Sequence, residues 1–396
     1  MAEAPARPGS DRFLLLYALA WSGGVVAYVP FLTILLPARV AMLAGGDQAV
    51  FWLARIAFAG AIAASCGNIL FGALSDLTRS RRPWIAAGLA ASSLLLLAVG
   101  RVGSAGGLMA LIVGWQLALN MMLAPLAAWA GDAIADSRKG VLGGLMAFAP
   151  GLGALVATVA TWPGLAGPDA REAFVALVVV ALVLPALLAG EPPAAAPPAR
   201  ATPAAAPADP PVRRPALRMW LARLAVQVAE AALFSYLYLW FRAVDPAVTD
   251  HQTARVLSLV LLLSAPAALA VGRWADRRGR PFVPLLAGAL VAAAGLGAMA
   301  MAQTMTGAVA AYALFGTATS VFLALHSAQT LRVLPRSDRR GRDLGLFNLT
   351  NTIPSLVMPG LTLALVPAFG FSGLFLAFAA LALLAAVVLA PISRSG

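Results

Sequence analysis

Glu230 is the residue whose type and placement most invite chemistry. It lies about twelve residues into an apolar run beginning near Arg218, roughly 18 Å along a helix at 1.5 Å per residue, and so near the middle of a bilayer-spanning segment. A carboxylate is expensive to hold at that depth and is a functional candidate by default. The other Asp and Glu residues, of sixteen in all, fall in loops, tails or the ends of apolar runs. Arg223, Gln227, Glu230 and Phe234 recur at helical spacing and give this segment one polar stripe. Two roles are open to Glu230: coupling a proton to a solute, or neutralising a nearby arginine such as Arg223.

Other side chains have the chemistry to stack on and hydrogen-bond an uncharged polar ligand such as a sugar. They are Tyr17, Trp21 and Tyr28, Gln116 and Asn120 four residues apart, Gln227 and Tyr238, and His326 and Gln329 three apart. His326 is also the second candidate for carrying a proton. Taken singly, each has a packing alternative: an aromatic ring can anchor a helix at the interface, and a lone imidazole or amide can tie two helices together. No Gly-x-x-x-x-Gly-Lys-[Ser/Thr] loop is present, and two histidines with one cysteine make no metal cluster. The chain is therefore expected not to be an enzyme and to need no cofactor or metal, and Cys66 has no partner for an intramolecular disulfide.

The elements that position these residues follow from composition. A chain of 396 residues with 61% hydrophobic and 11% charged residues and a mean hydropathy of +0.87 lies in the range of polytopic membrane proteins. The net charge of +12 is spread in small clusters between apolar runs rather than gathered in one patch, which argues against nucleic acid as a partner. Runs of bilayer length fall at 13–37, 49–75, 83–101, 106–130, 141–162, 172–190, 218–242, 252–275, 282–302, 307–332, 344–367 and 370–391. They lack period-two alternation, so an all-α polytopic membrane protein with twelve transmembrane helices is expected. The first run is too long for a signal-peptide core and reads as a retained helix.

Residues 191–217 are built of Ala, Pro and a few charges and read as a linker. The domains are then a tail at 1–12, a six-helix bundle at 13–190, the linker, a second six-helix bundle at 218–392 and a tail at 393–396. The halves repeat: 64 residues separate Asp76 from Gly140, and 65 separate Asp276 from Gly341. Arginine-rich loops such as Arg79, Arg81 and Arg82, Arg138 and Lys139, and Arg277, Arg278 and Arg280 fall on one side. The positive-inside rule then places both termini and the linker in the cytoplasm.

Three stretches carry a family resemblance. Gly272-Arg-Trp-Ala-Asp276-Arg277-Arg-Gly279-Arg280 and its first-half counterpart Gly72-Ala-Leu-Ser-Asp76-Leu-Thr-Arg79-Ser-Arg81-Arg82-Pro-Trp resemble the loop between the second and third helices of each half in major facilitator superfamily transporters. The first copy, and the run Gly341-Arg342-Asp343-Leu-Gly345 followed by Asn348, Asn351 and Pro354, look more like the glycoside and sucrose-type symporters. The resemblance implies the major facilitator fold, two pseudo-symmetric six-helix bundles. It assigns gating to Asp76, Arg79, Arg81, Arg82, Asp276, Arg277, Gly279, Arg280, Arg342 and Asp343, and makes spans one, four, seven and ten line the cavity.

The function this implies is secondary transport of a small solute by alternating access across the plasma (bacterial inner) membrane, by a monomer among membrane lipids. Sodium-coupled glycoside carriers use acidic residues in the second and fourth helices, and here those spans offer Arg55, Asn68, Gln116 and Asn120 instead. Proton-coupled movement of a sugar or glycoside is the leading expectation. Export of amphipathic drugs or metabolites is the second, and a non-transporting scaffold or assembly factor the third.

Overall fold

The computed structural model describes residues 11–134, 142, 145–165, 167, 170–189, 213–333 and 340–395. The expected linker lies outside the described residues up to position 212. In chain order the helices are α1 (Asp11–Pro30), α2 (Leu36–Ala44), α3 (Gly46–Leu77), α4 (Arg82–Ala98), α5 (Ala105–Ala133), α6 (Ala149–Ala160), α7 (Arg171–Ala189), α8 (Arg213–Val244), α9 (Asp250–Arg278), α10 (Val283–Met301), α11 (Met305–Val333) and α12 (Arg340–Ser395). The described residues contain ten helical segments long and apolar enough to cross a membrane, and α6 is a shorter apolar helix. One of the ten, Thr350–Ser393, breaks at Gly370, where φ of 64° and ψ of −172° fit glycine alone. Counted as two, it brings the long apolar runs among the described residues to eleven, with the shorter α6 standing where the fifth span is expected. α8 is the seventh, α11 the tenth, and α12 holds the last two.

The first span departs from its expected end. It runs past Pro37 as one helical segment to Ala44, through a π-helical stretch at Phe31–Leu35. Pro30 lacks the N–H an α-helix needs, the ladder re-registers after it, and Pro37 then sits in the first turn of α2, where no N–H is required.

The chain divides into two compact units, Met1–Phe31 with Ile62–Ala204, and Leu32–Ala61 with Ala205–Gly396. In the first, α1 packs on α6 and α7, and α4 on α5 and α7. Glycine sets the closest approach: a Cβ on Gly88 would lie 2.3 Å from the Met122 backbone nitrogen. In the second, α8 packs on α11 and α12, and α10 on both of these. Met219, Ala222 and Val226 of α8 meet Leu285 and Ala289 of α10, Phe322 of α11 and Leu389 of α12 in a buried cluster. Gly288 there faces Phe322. Gly88 with Met122 and Gly288 with Phe322 are the same pairing displaced by 200 residues, the displacement that separates Asp76 from Asp276.

Candidate functional site

Three helices of the second unit bring one polar cluster together. Arg223 of α8 donates from Nε to Gln227 Oε1 at 3.0 Å, from one terminal nitrogen to Ser327 Oγ of α11 at 2.8 Å, and from the other to Asn351 Oδ1 of α12 at 3.3 Å. Gln227 Nε2 donates to the same Asn351 oxygen at 2.8 Å. The spacing of four between Arg223 and Gln227 puts both on one face of α8. Ser327 and Asn351 are exposed, and Arg223 and Gln227 are partly so. A guanidinium is costly to hold against lipid tails, so an exposed polar face of this kind calls for water around it. The stripe on α8 foretold Arg223 and Gln227. Ser327, one residue from His326, carried no sequence signal.

Glu230 stands one turn beyond Gln227 on the same stripe and is half-buried. It makes no hydrogen bond or ion pair to any described residue, since Arg223 is committed to Gln227, Ser327 and Asn351. Arg223 and, from α11, Tyr312 lie within electrostatic reach of it. The simple Arg223–Glu230 ion pair open from the sequence is therefore not formed.

The other expected site residues separate by environment. The Tyr17 hydroxyl is buried and donates to the Leu126 carbonyl at 3.0 Å, tying α1 to α5. His326 is fully buried, with Nε2 2.9 Å from the Met219 carbonyl, which ties α11 to α8. Asn120 donates to the Gln116 carbonyl at 2.9 Å and accepts from Asn68 of α3 at 3.4 Å, and both Gln116 and Asn120 are buried. Tyr238 is buried, with Arg242 bonded to its hydroxyl at 3.2 Å. Gln329 is buried and its Oε1 has no hydrogen-bond partner among the described residues. Trp21 and Tyr28 are partly exposed on the first span.

Residues 219–395 match the Major Facilitator Superfamily. The match covers the second half of the chain, from α8 to the end of α12. A solved structure, that of the human organic anion transporter MFSD10 (TETRAN), is similar over 98% of this chain and 100% of its own, with a TM-score of 0.64 and 15% identity. At that identity the likeness shows the fold, and a fold selects no solute by itself. No curated protein matches by sequence. The family is one of transporters rather than enzymes, and the chain is an integral membrane protein of that fold. The glycoside branch suggested by the motifs finds no further support.

The two loops typical of major facilitators share one backbone geometry. Arg79 N–H donates to the Asp76 carbonyl at 3.1 Å, and Gly279 N–H to the Asp276 carbonyl at 3.2 Å. Ser80 and Arg280 close the next ring, onto Ser75 and Ala275. In the first loop Asp76 pairs with Arg81, which also donates to Ser75 Oγ at 2.7 Å. Arg82 lies over the Trp129 ring at 5.6 Å, with Nε and one terminal nitrogen buried and bonded to none of the described residues. Asp276, Arg277 and Arg280 are exposed. The side chains of Arg342 and Asp343 lie outside the described residues.

Proposed function

We propose that the chain is a proton-coupled secondary transporter that moves a small polar solute by alternating access, with Glu230 as the group that carries the proton. The observation supporting this is the placement of Glu230: mid-span, half-buried, and bonded to nothing among the described residues. A carboxylate locked in an ion pair stays charged through a transport cycle. One without a partner, in surroundings that disfavour charge, can take up and release a proton as its access changes. The hydroxyl and amides beside Arg223 supply the contacts for the solute. The paired loops at Asp76 and Asp276 gate the inner ends of the helices, with both termini cytoplasmic and a monomer in the plasma membrane as the working unit.

Two solute classes suit such a site. A sugar or glycoside fits the amides and the motif around Asn348 and Asn351. An organic anion is favoured by the Arg223 guanidinium, and MFSD10, similar in fold, is described as an organic anion transporter. The test is Glu230→Gln in proteoliposomes. It keeps the shape but cannot release a proton, so exchange of solute down its own gradient persists and accumulation driven by a pH step is lost. A variant that still concentrates solute after a pH step moves coupling elsewhere, with His326 next to be tested.

A further inference from the structure

Arg223 raises a question of charge that the transport reading leaves open. A guanidinium has five N–H donors. Among the described residues three are used, on Gln227, Ser327 and Asn351, which leaves one on each terminal nitrogen to offer to a carboxylate. Its three partners are neutral, so they fix the guanidinium without cancelling its charge. A buried or half-buried cation in a membrane protein calls for a counter-charge.

The elements packed on α8 offer few. α12 has Arg340, Arg342 and Asp343 in its first turn, with side chains outside the described residues, and no ionisable residue from Thr350 to Ser393. α11 contributes Tyr312, His326 and, at its end, Arg332, whose side chain is also outside the described residues, and His326 is engaged with the Met219 carbonyl. The ionisable residues of α9 sit at its two ends, Asp250, His251 and Arg255 at one and Arg273, Asp276, Arg277 and Arg278 at the other, and α2 has Arg39. The acid that feels Arg223 is Glu230, seven residues and thus about 10 Å along α8, too far for a direct bond. The matching positions of the first unit carry no such stripe: subtracting 200 from Arg223, Gln227 and Glu230 leads to Gly23, Ala27 and Pro30.

We propose that Arg223, Gln227, Ser327 and Asn351 form a receptor for one carboxylate of an organic anion, and that the bound anion takes over from Glu230 the task of balancing Arg223. This rests on the proton-coupled reading and commits its solute to the anionic class. With the receptor empty, ionised Glu230 balances the cation from a distance. When the anion's carboxylate occupies the two spare N–H groups, a second negative charge on Glu230 is repelled, and Glu230 takes a proton. One proton enters with each monovalent anion, and the net charge of the loaded and empty sites is the same. Phe234, one turn beyond Glu230 on the same stripe, places an aromatic ring near the body of the anion.

The test uses the purified full-length chain in detergent, with binding read by thermal shift for three carboxylates (hippurate, lactate and benzoate), for hippuramide as the neutral counterpart of hippurate, and for methyl glucoside. At least one carboxylate is expected to raise the melting temperature, and about tenfold more tightly at pH 6 than at pH 8, both above the range where the free acid is protonated. Glu230→Gln is expected to bind it at pH 8 as tightly as wild type does at pH 6. Arg223→Lys, which keeps the charge but not the fork, is expected to weaken binding at least tenfold while melting normally without ligand. The proposal is overturned if no carboxylate binds, if hippuramide or methyl glucoside binds as well as the carboxylates, or if Glu230→Gln leaves the pH dependence unchanged. Glu230-dependent, pH-driven accumulation of a sugar with no carboxylate binding would overturn this receptor and leave the transport reading standing.

Discussion

Arg79 and Gly279 hold the same left-handed turn, three residues after Asp76 and Asp276, with φ of 49° and 63°. One backbone solution to ending a helix at a charged loop has been kept in both copies, although only the second has the residue suited to it. A side chain in this region costs roughly 1–2 kcal/mol, and glycine gives part of that back as greater freedom in the unfolded chain. Arg79→Gly is therefore expected to stabilise the protein by about 1 kcal/mol. A melting temperature that falls would mean that the Arg79 side chain holds the loop by contacts worth more than its strain.

The matched glycines make a second comparison. A Cβ on Gly88 would sit 2.3 Å from the Met122 nitrogen, whereas one on Gly288 would sit 3.4 Å from Phe322 Cβ, close to ordinary contact. Gly88→Ala is expected to cost about 3 kcal/mol, at the upper end for overpacking, and Gly288→Ala less than about 1. Thermal stability of the two variants in the same detergent decides this, and equal losses would refute it.

Tyr17 separates packing from transport. Its hydroxyl is spent on the Leu126 carbonyl, so Tyr17→Phe is expected to lower stability by about 1 kcal/mol and to leave solute exchange at the wild-type rate. A variant of normal stability with slowed exchange would return Tyr17 to the solute path.

Asp76 anchors its loop through Arg81, and Asp276 ends α9 in the matching position. Replacing either with Ala is expected to slow interconversion between inward-open and outward-open states, read with paired fluorophores, more than it weakens solute binding. Lost binding with normal interconversion would remove the gating role.

The spans were legible because each apolar run must satisfy its own backbone in a bilayer. The repeat was legible because Asp76 and Asp276 sit in near-identical settings. The end of the first span was not, because Pro37 looks like a stop and serves as the start of α2. On α8 helical spacing was enough to align Arg223, Gln227 and Glu230. What they face depends on which helices pack there, so Ser327 of α11 was invisible. Arg223 reads from the sequence as a partner for Glu230, yet three neutral groups take its donors. Tyr17 and His326 have the side chains of ligand contacts, and only the packed structure shows their polar atoms on backbone carbonyls.

The central claim is that Glu230 carries a proton with each solute molecule. The direct measurement loads proteoliposomes with a pH-sensitive dye and follows lumenal pH after solute is added outside, with no initial pH gradient. Wild type is expected to acidify the lumen in step with solute entry, while Glu230→Gln admits solute by exchange with no pH change. Acidification by the variant at the wild-type ratio of protons to solute would contradict the account.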